Sequence, residues 1–557
     1  IYYTSKSTND VNGLIRGYNG TTAATHATSL AVGASTITVT DVSNGVIVND
    51  FVTFSGATGV DVFTAAQINT EQQVFSVISV NQYTVNINNV FSTSAVSNGG
   101  AAVIAVYQIN TGLSVYIDGN GWGAGGWSRN SWGSESLTGG IGQQLRLWSN
   151  DNFGQDLVIS PRNGQIYYWK ALTGLSARAS LLSTLATAAG YSGQFVPTQT
   201  LEVSASSIQR FIIAFGANSY NPADPATTFD PMLVRWSDQE DPYQWVQEIT
   251  NQAGEFRLSH GSTIVSQINT RQEVLIWTDS ALYSMQYLGP PYVWKFEILM
   301  DNISVMSPNS MITINNVTYW MGVDKFYMYS GRVETLPCSL RQYIFADINF
   351  TQSYQVFCGS NEGYNEVWWF YCSVESNTVD KYVIYNYLDR VWYYGSMART
   401  AWLDSGIRRY PMAANYDYRV LYHESNVDDV SGLTPAPIDA YIQSSDFDIG
   451  DGHNFGFVWR ILPDVNFDGS NVNQPAVTMT IKPRQNSGTP YGAADNPIVR
   501  SQDNYTTRGV YNIQEFDGQV YTRLRGRQMA FRIESTGLGV AWQLGTPRID
   551  IRNDGRR

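Results

Sequence analysis

The sequence predicts an all-β protein: a β-propeller carrying an inserted N-terminal β-sandwich or barrel domain and a C-terminal β domain. Three observations predict it. The composition is that of a pleated, turn-rich chain, with 35 Tyr, 16 Trp and 48 Gly in 557 residues. Aromatic and β-branched side chains suit a pleated surface, and glycine serves the turns. An aromatic hairpin recurs at a fixed step. Short segments outside it alternate apolar and polar residues with the period of two expected of a half-buried strand.

The recurring hairpin reads Asp241-Pro242-Tyr243-Gln244-Trp245, then Pro290-Pro291-Tyr292-Val293-Trp294, then Leu388-Asp389-Arg390-Val391-Trp392. Each is expected to be a turn followed at once by a strand that opens on Trp. Each comes shortly after an aromatic strand, at 233–236, 282–285 and 382–387. Trp245 and Trp294 are 49 residues apart, and Trp392 lies a further 98 on, twice that step. The skipped unit is Phe326-Tyr327-Met328-Tyr329 with the turn Ser330-Gly331-Arg332, lacking its Trp. A step near 50 built from strands and turns marks propeller blades.

Taken in chain order, residues 1–20 read as a first strand of the main fold and a loop. Residues 21–110 are nearly free of Trp and rich in Thr, Val, Ser and Ala; segments 35–40, 51–54 and 83–87 alternate, so an inserted β domain is expected. Residues 111–165 carry Trp122, Trp127, Trp132 and Trp148 among glycines and read as an ordered loop region. Residues 166–440 hold the blades, with one helix expected over 177–189. Residues 441–557 form a C-terminal, sandwich-like domain, with strands at 477–481, 520–524 and 529–533. A polar Gly/Asn-rich excursion at 484–518 reads as a projecting loop.

Length and charge bound the function. The chain is long enough for two to four domains. No run of 18 or more apolar residues occurs, so no membrane-spanning segment is expected. Three cysteines, Cys338, Cys358 and Cys372, with no C-x-x-C, argue against a disulfide framework or a zinc site and for a reducing cytoplasm. The net charge is −13. Residues 523–557 nonetheless hold eight Arg against Glu534, Asp550 and Asp554, giving that tail +5. An acidic bulk cannot grip nucleic acid, because phosphate neutralisation supplies most of that affinity.

No constellation specifies chemistry. Gly121-Trp122-Gly123-Ala124-Gly125-Gly126 satisfies G-x-G-x-x-G, but no helix pattern follows. Asp464-Val465-Asn466-Phe467-Asp468-Gly469 starts like a calcium loop, yet its twelfth position is Pro475. Asp446-Phe447-Asp448-Ile449-Gly450-Asp451-Gly452 is a second acidic turn. His26, His260, His423 and His453 form no metal or protease motif. Asp238, Glu240 and Asp241, in the turn before Trp245, are the candidates for the paired carboxylates of a propeller glycosidase. The stretch from Ser237 to Trp245 has the Ser, acids and Trp of a sialidase-type box without its Gly. We therefore expect no catalytic, cofactor-binding or metal-ligating residues.

Several stretches carry a resemblance: Ile344-Phe345-Ala346-Asp347-Ile348-Asn349-Phe350, Asn365-Glu366-Val367-Trp368-Trp369-Phe370-Tyr371, and Tyr382-Val383-Ile384-Tyr385-Asn386-Tyr387 with Trp392-Tyr393-Tyr394-Gly395 and Arg399-Thr400-Ala401-Trp402. Asp446 to Gly452, Arg525-Gly526-Arg527-Gln528-Met529-Ala530 and the close from Pro547 to Arg557 belong with them. Leu157-Val158-Ile159-Ser160-Pro161-Arg162-Asn163-Gly164 and Phe211-Ile212-Ile213-Ala214-Phe215-Gly216 fit the earlier part. Over roughly 140–557 the chain resembles the tail nozzle proteins (tubular B, or DNA-stabilisation, proteins) of short-tailed bacteriophages.

The resemblance implies a structural, non-enzymatic virion protein, assembled in the host cytoplasm. It implies a homohexameric ring at the distal end of the tail, meeting the tail adaptor and tail fibre or other tail proteins. Its channel would pass genomic DNA without sequence-specific binding. The expected gate is the 484–518 excursion. Arg523, Arg525 and Arg527, at alternating positions, are expected on one strand face as a subunit or adaptor contact; pairing with acids of their own domain is the alternative. A carbohydrate-active or receptor-binding tail protein is the second functional class.

Overall fold

The computed structural model describes residues 5–7, 10–12, 36–42, 46, 50–79, 81–87, 99–100, 102–108, 115–116 and 145–556, apart from 176, 207–208, 226, 433, 449–451, 489–490 and 492–508. The chain divides into two compact units, 1–147 and 148–557. In the first, Ser5–Ser7 and Asp10–Asn12 pair with each other. A five-stranded sheet follows, ordered Thr36–Thr40, Gln82–Asn86, Glu71–Ser79, Phe51–Ser55, Ile104–Gln108. Its core holds Val52, Phe54, Phe63, Val74, Tyr83 and Val85. Phe51–Ser55 alternates buried and less buried residues, while Phe75, Val77, Ile78, Ile104 and Val106 leave apolar surface exposed on this sheet.

The second unit contains a β-propeller. Six antiparallel meanders follow one another, opening at Trp148, Thr200, Ile264, Met311, Phe357 and Ala401. Among the described residues, the first five have four strands and the sixth has three. The first strands of successive meanders lie side by side, as innermost blade strands do. Five apolar clusters fill the spaces between blades 1 and 2, 2 and 3, 3 and 4, 4 and 5, and 5 and 6. The chain also returns on itself. Arg162, in the turn after the second strand of blade 1, stands 6.0 Å from the ring of Tyr354, which precedes blade 5.

The sequence repeat is the hairpin between the third and fourth strands of a blade. It is seen as Ala281–Gly289 with Val293–Asp301, and as Lys381–Asn386 with Val391–Ser396. Phe326–Tyr329 pairs with Val333–Leu336 in the unit without a Trp. Trp245 departs from the expectation. It lies in a loop, because its blade inserts residues 237–253 before the fourth strand, Gly254–Arg257. The side chain is buried, and its Nε1 donates to the Pro242 carbonyl.

Two further boundaries differ from expectation. The blades begin at Trp148, not at 166: Trp148–Phe153 and Asp156–Pro161 pair as a hairpin inside the stretch expected to be loop. The helix spans Leu182–Ala188 rather than 177–189, because Ser180–Leu181 is drawn into the sheet against Tyr167 and Tyr168.

Among the described residues of 440–553, two larger sheets pack together, beside a small pairing of Val465–Asn466 with Gln543–Leu544. One is ordered Ala440–Gln443, Gln528–Ser535, Ala476–Arg484, Val510–Gln514; the other is Val520–Gly526, Gly456–Leu462, Arg548–Asn553. Val458, Ile461 and Leu524 of the second sheet meet Val477, Met479, Ile481 and Ile533 of the first. Within the expected 484–518 excursion, Val510–Gln514 is a strand paired with Ala476–Arg484. Most of the rest of that excursion lies outside the described residues.

Candidate functional site

Arg523 and Arg525 share the exposed face of Val520–Gly526, while Thr522, Leu524 and Gly526 point inward. Arg527 lies just past the end of that strand. Arg525 ion-pairs with Asp554 and lies over the Phe455 ring at 4.0 Å. Arg527 covers the same ring at 4.8 Å and donates to the Arg556 carbonyl at 2.9 Å. These two are thus engaged within their own domain. Arg523 is exposed, with no partner among the described residues.

The acidic turns serve the backbone. Asp238 Oδ1 accepts from the N–H groups of Gln239 and Gln252, and Asp241 Oδ1 from that of Tyr243. Asp464 Oδ2 accepts from Thr546 N–H at 2.6 Å, and Asn466 Oδ1 from Asp468 N–H at 2.8 Å. Asp446 pairs with Arg484 at 2.7 Å and accepts from the Tyr491 hydroxyl at 2.7 Å. Asp451, His26 and the glycines at 121–126 lie outside the described residues. Among the described residues, no three of His, Cys, Asp and Glu converge as a metal-holding group. Burial raises all three cysteine thiols, that of Cys338 to about 11 and that of Cys372 to about 12. Among the described residues, no helix is long and apolar enough to cross a membrane.

Two groups the sequence did not reveal sit between blades. The first joins a turn of blade 1 to the inner strands of blades 2 and 3. Arg162 Nη1 donates to the Val265 carbonyl at 3.0 Å, and Nη2 to that of Ile264 at 3.2 Å. Glu202 accepts from Gln267 Nε2 at 3.2 Å, while its other oxygen is buried with no hydrogen-bond partner. Burial pushes the Glu202 carboxyl up to about 7, against the opposing pull of Ser266, Arg162 and Gln267.

The second joins blades 5 and 6. Trp368 Nε1 donates to Glu366 Oε2 at 3.0 Å, and Asn361 Nδ2 approaches Glu424 Oε1 at 3.5 Å. Burial, helped by the Glu424 charge, pushes the Glu366 carboxyl up to about 7. Partial desolvation where Glu424 faces the seam raises its carboxyl as well, although the residue keeps an exposed edge. A half-buried carboxyl with a second carboxyl near it, set beside Trp and Tyr rings, can hold a proton near neutrality. No local motif announces either group. Residues 162, 202 and 267, like 366 and 424, are brought together by blade packing.

No protein-family model and no curated protein matches this chain. Solved structures resemble it distantly. Kluyveromyces lactis Hsv2 aligns at 8% identity and TM-score 0.29, over 49% of this chain and 72% of that one. A Synechocystis apocarotenoid oxygenase aligns at 7% and 0.28, over 68% and 87%. The phage phi92 endosialidase aligns at 10% and 0.20, over 73% and 58%. The propeller stands on its own sheet order, and likenesses this distant carry no argument about chemistry.

Proposed function

We propose that this chain is a structural virion protein, the subunit of the nozzle ring at the distal end of a phage tail, lining and gating the channel through which DNA leaves. The observation that supports it is where the resembling stretches fall. They supply the second strand of blade 1 and that of blade 2, three strands of blade 5, the first strand of blade 6 and the closing strand Arg548–Asn553. These are scaffold elements, so what the resemblance carries is architecture. Arg523, exposed beside the engaged Arg525, is the arginine free to meet a neighbouring copy or an adaptor.

Mass photometry of the purified protein, alone and with tail partners, tests this reading. Hexamers, or six-fold rings formed with those partners, are expected. A chain that stays monomeric or trimeric in both settings would overturn it. The Glu366–Glu424 pair among aromatic rings favours one second reading, a carbohydrate-active tail protein. Release of reducing sugar that is abolished by Glu366→Gln would favour that reading.

A further inference from the structure

The sixth blade docks on the fifth through a short seam. Trp402 lies flat against Trp368, ring centroids 5.0 Å apart, and its Nε1 donates to the Ser360 carbonyl at 2.7 Å. Gly359 permits this approach, since a Cβ there would stand 2.4 Å from the indole. Asp404 accepts from Ser360 Oγ at 2.7 Å and from Glu362 N–H at 3.0 Å. The Tyr416 hydroxyl accepts from Val379 N–H at 2.8 Å.

At one point this seam brings like charges together. Glu366 opens the second strand of blade 5, and Glu424 follows the last strand of blade 6 by two residues. Asn361, 2% exposed, lies by Glu424 and stands directly across the strand pair from Glu366. An amide carries no charge, so Asn361 can hold Glu424 beside Glu366 without neutralising either carboxylate. The other groups that face the pair are Trp368 and the hydroxyls of Tyr364, Tyr382 and Tyr393 from blade 5. From the blade 6 side the nearest titratable neighbour in sequence is His423, whose Nε2 accepts from Arg399 Nε at 3.0 Å, with Asp429 beyond.

We propose that Glu366, Asn361 and Glu424 form a proton-operated clasp between blades 5 and 6, closed while the two carboxyls hold a proton between them and loosened when both ionise. The sign follows from which state binds the proton. The Glu366 carboxyl, at about 7 in the fold against 4.5 for an unperturbed group, keeps a proton that the unfolded chain releases. Its contribution is fully present below about pH 4.5 and is lost as pH rises through about 7. His423 is held down to about 4 by burial and by the Arg399 charge, so it is already neutral across this window. The tyrosines are raised and stay neutral there.

Hydrogen exchange of residues 401–424 in the full chain, corrected for intrinsic rate, tests the clasp at about pH 5.5 and about pH 8. The wild-type segment should lose roughly tenfold in protection at the higher pH, after allowance for solvent screening. Glu366→Gln, which keeps an acceptor for Trp368, should hold its protection at both. Glu424→Gln, at an exposed position, should behave alike and carries the test if the first variant misfolds. Equal wild-type protection at the two pH values, or a wild-type slope retained in the Gln variants, would overturn the proposal.

Discussion

The wall between blades 3 and 4 and the inner strands of blades 1 to 3 solve the same packing problem with opposite chemistry. In the wall, Trp277 and Trp320 meet edge to face at 5.3 Å, and Tyr327 stacks on Trp320 at 5.2 Å. Leu275, Leu282 and Ile303 fill the remaining space. Arg162 reaches from its turn to carbonyls on the inner strand of blade 3, and Glu202 holds Gln267. Asp151 accepts from Ser204 Oγ at 3.0 Å and from Ala205 N–H at 2.9 Å. Apolar burial responds neither to protons nor, to first order, to charge, whereas a buried carboxyl ties stability to pH. One repeat thus yields joints that are blind to pH beside joints that are not.

The largest effect should come from the dry wall. Trp320 is fully buried, and its Nε1 donates to the Ser304 carbonyl at 3.2 Å. Trp320→Ala should cost about 3–5 kcal/mol in urea unfolding, through lost transfer energy and the cavity left behind. The same loss is expected at acid and at neutral pH. A loss that changes markedly with pH would break the contrast, because it would place a titrating group behind the tryptophan.

Glu202→Gln tests the opposite side. The wild-type carboxyl sits at about 7 in the fold, above its unfolded value. The folded state therefore holds the extra proton, and stability should fall as pH rises from about 4.5 to about 7, then level off. The decline should be on the order of 3 kcal/mol. The amide that replaces the carboxyl cannot titrate, so that part of the slope should vanish from a series of unfolding curves across this range. A variant that keeps the wild-type slope would move the titrating group elsewhere.

These joints also show what was legible in the sequence. The third-to-fourth-strand hairpins could be read because Phe326-Tyr327-Met328-Tyr329 and Tyr382 to Tyr387 carry their aromatics contiguously, next to turn residues. Trp245 has the same sequence signature, but Asp238 and Asp241 cap a long loop there instead of a turn of three or four residues. The first blade was hidden because Trp148–Phe153 is mostly polar and follows a glycine-rich stretch. The carboxyl sites were not legible at all. Glu366 and Glu424 lie on different blades, one at the start of a strand and the other just past a strand's end. In the sequence, acids at such positions read as ordinary solvated charge. Their proximity is a property of packing, which no window along the chain contains.

The smallest effect sharpens the contrast by removing burial from it. Arg525 and Asp554 form an ion pair in which both side chains are about half exposed. Water and salt screen such a pair, so Arg525→Ala should cost only about 0–1 kcal/mol, part of it from the lost cover over Phe455. Repeating the melt at about 1 M salt, where the Debye length is near 3 Å, should remove the charge component and leave the packing component. Arg523→Glu, with no intradomain partner among the described residues, should leave monomer stability within about 0.5 kcal/mol. If Arg523 meets a neighbouring copy, that variant should still weaken assembly, and a ring that forms normally with it would confine all three arginines to their own domain.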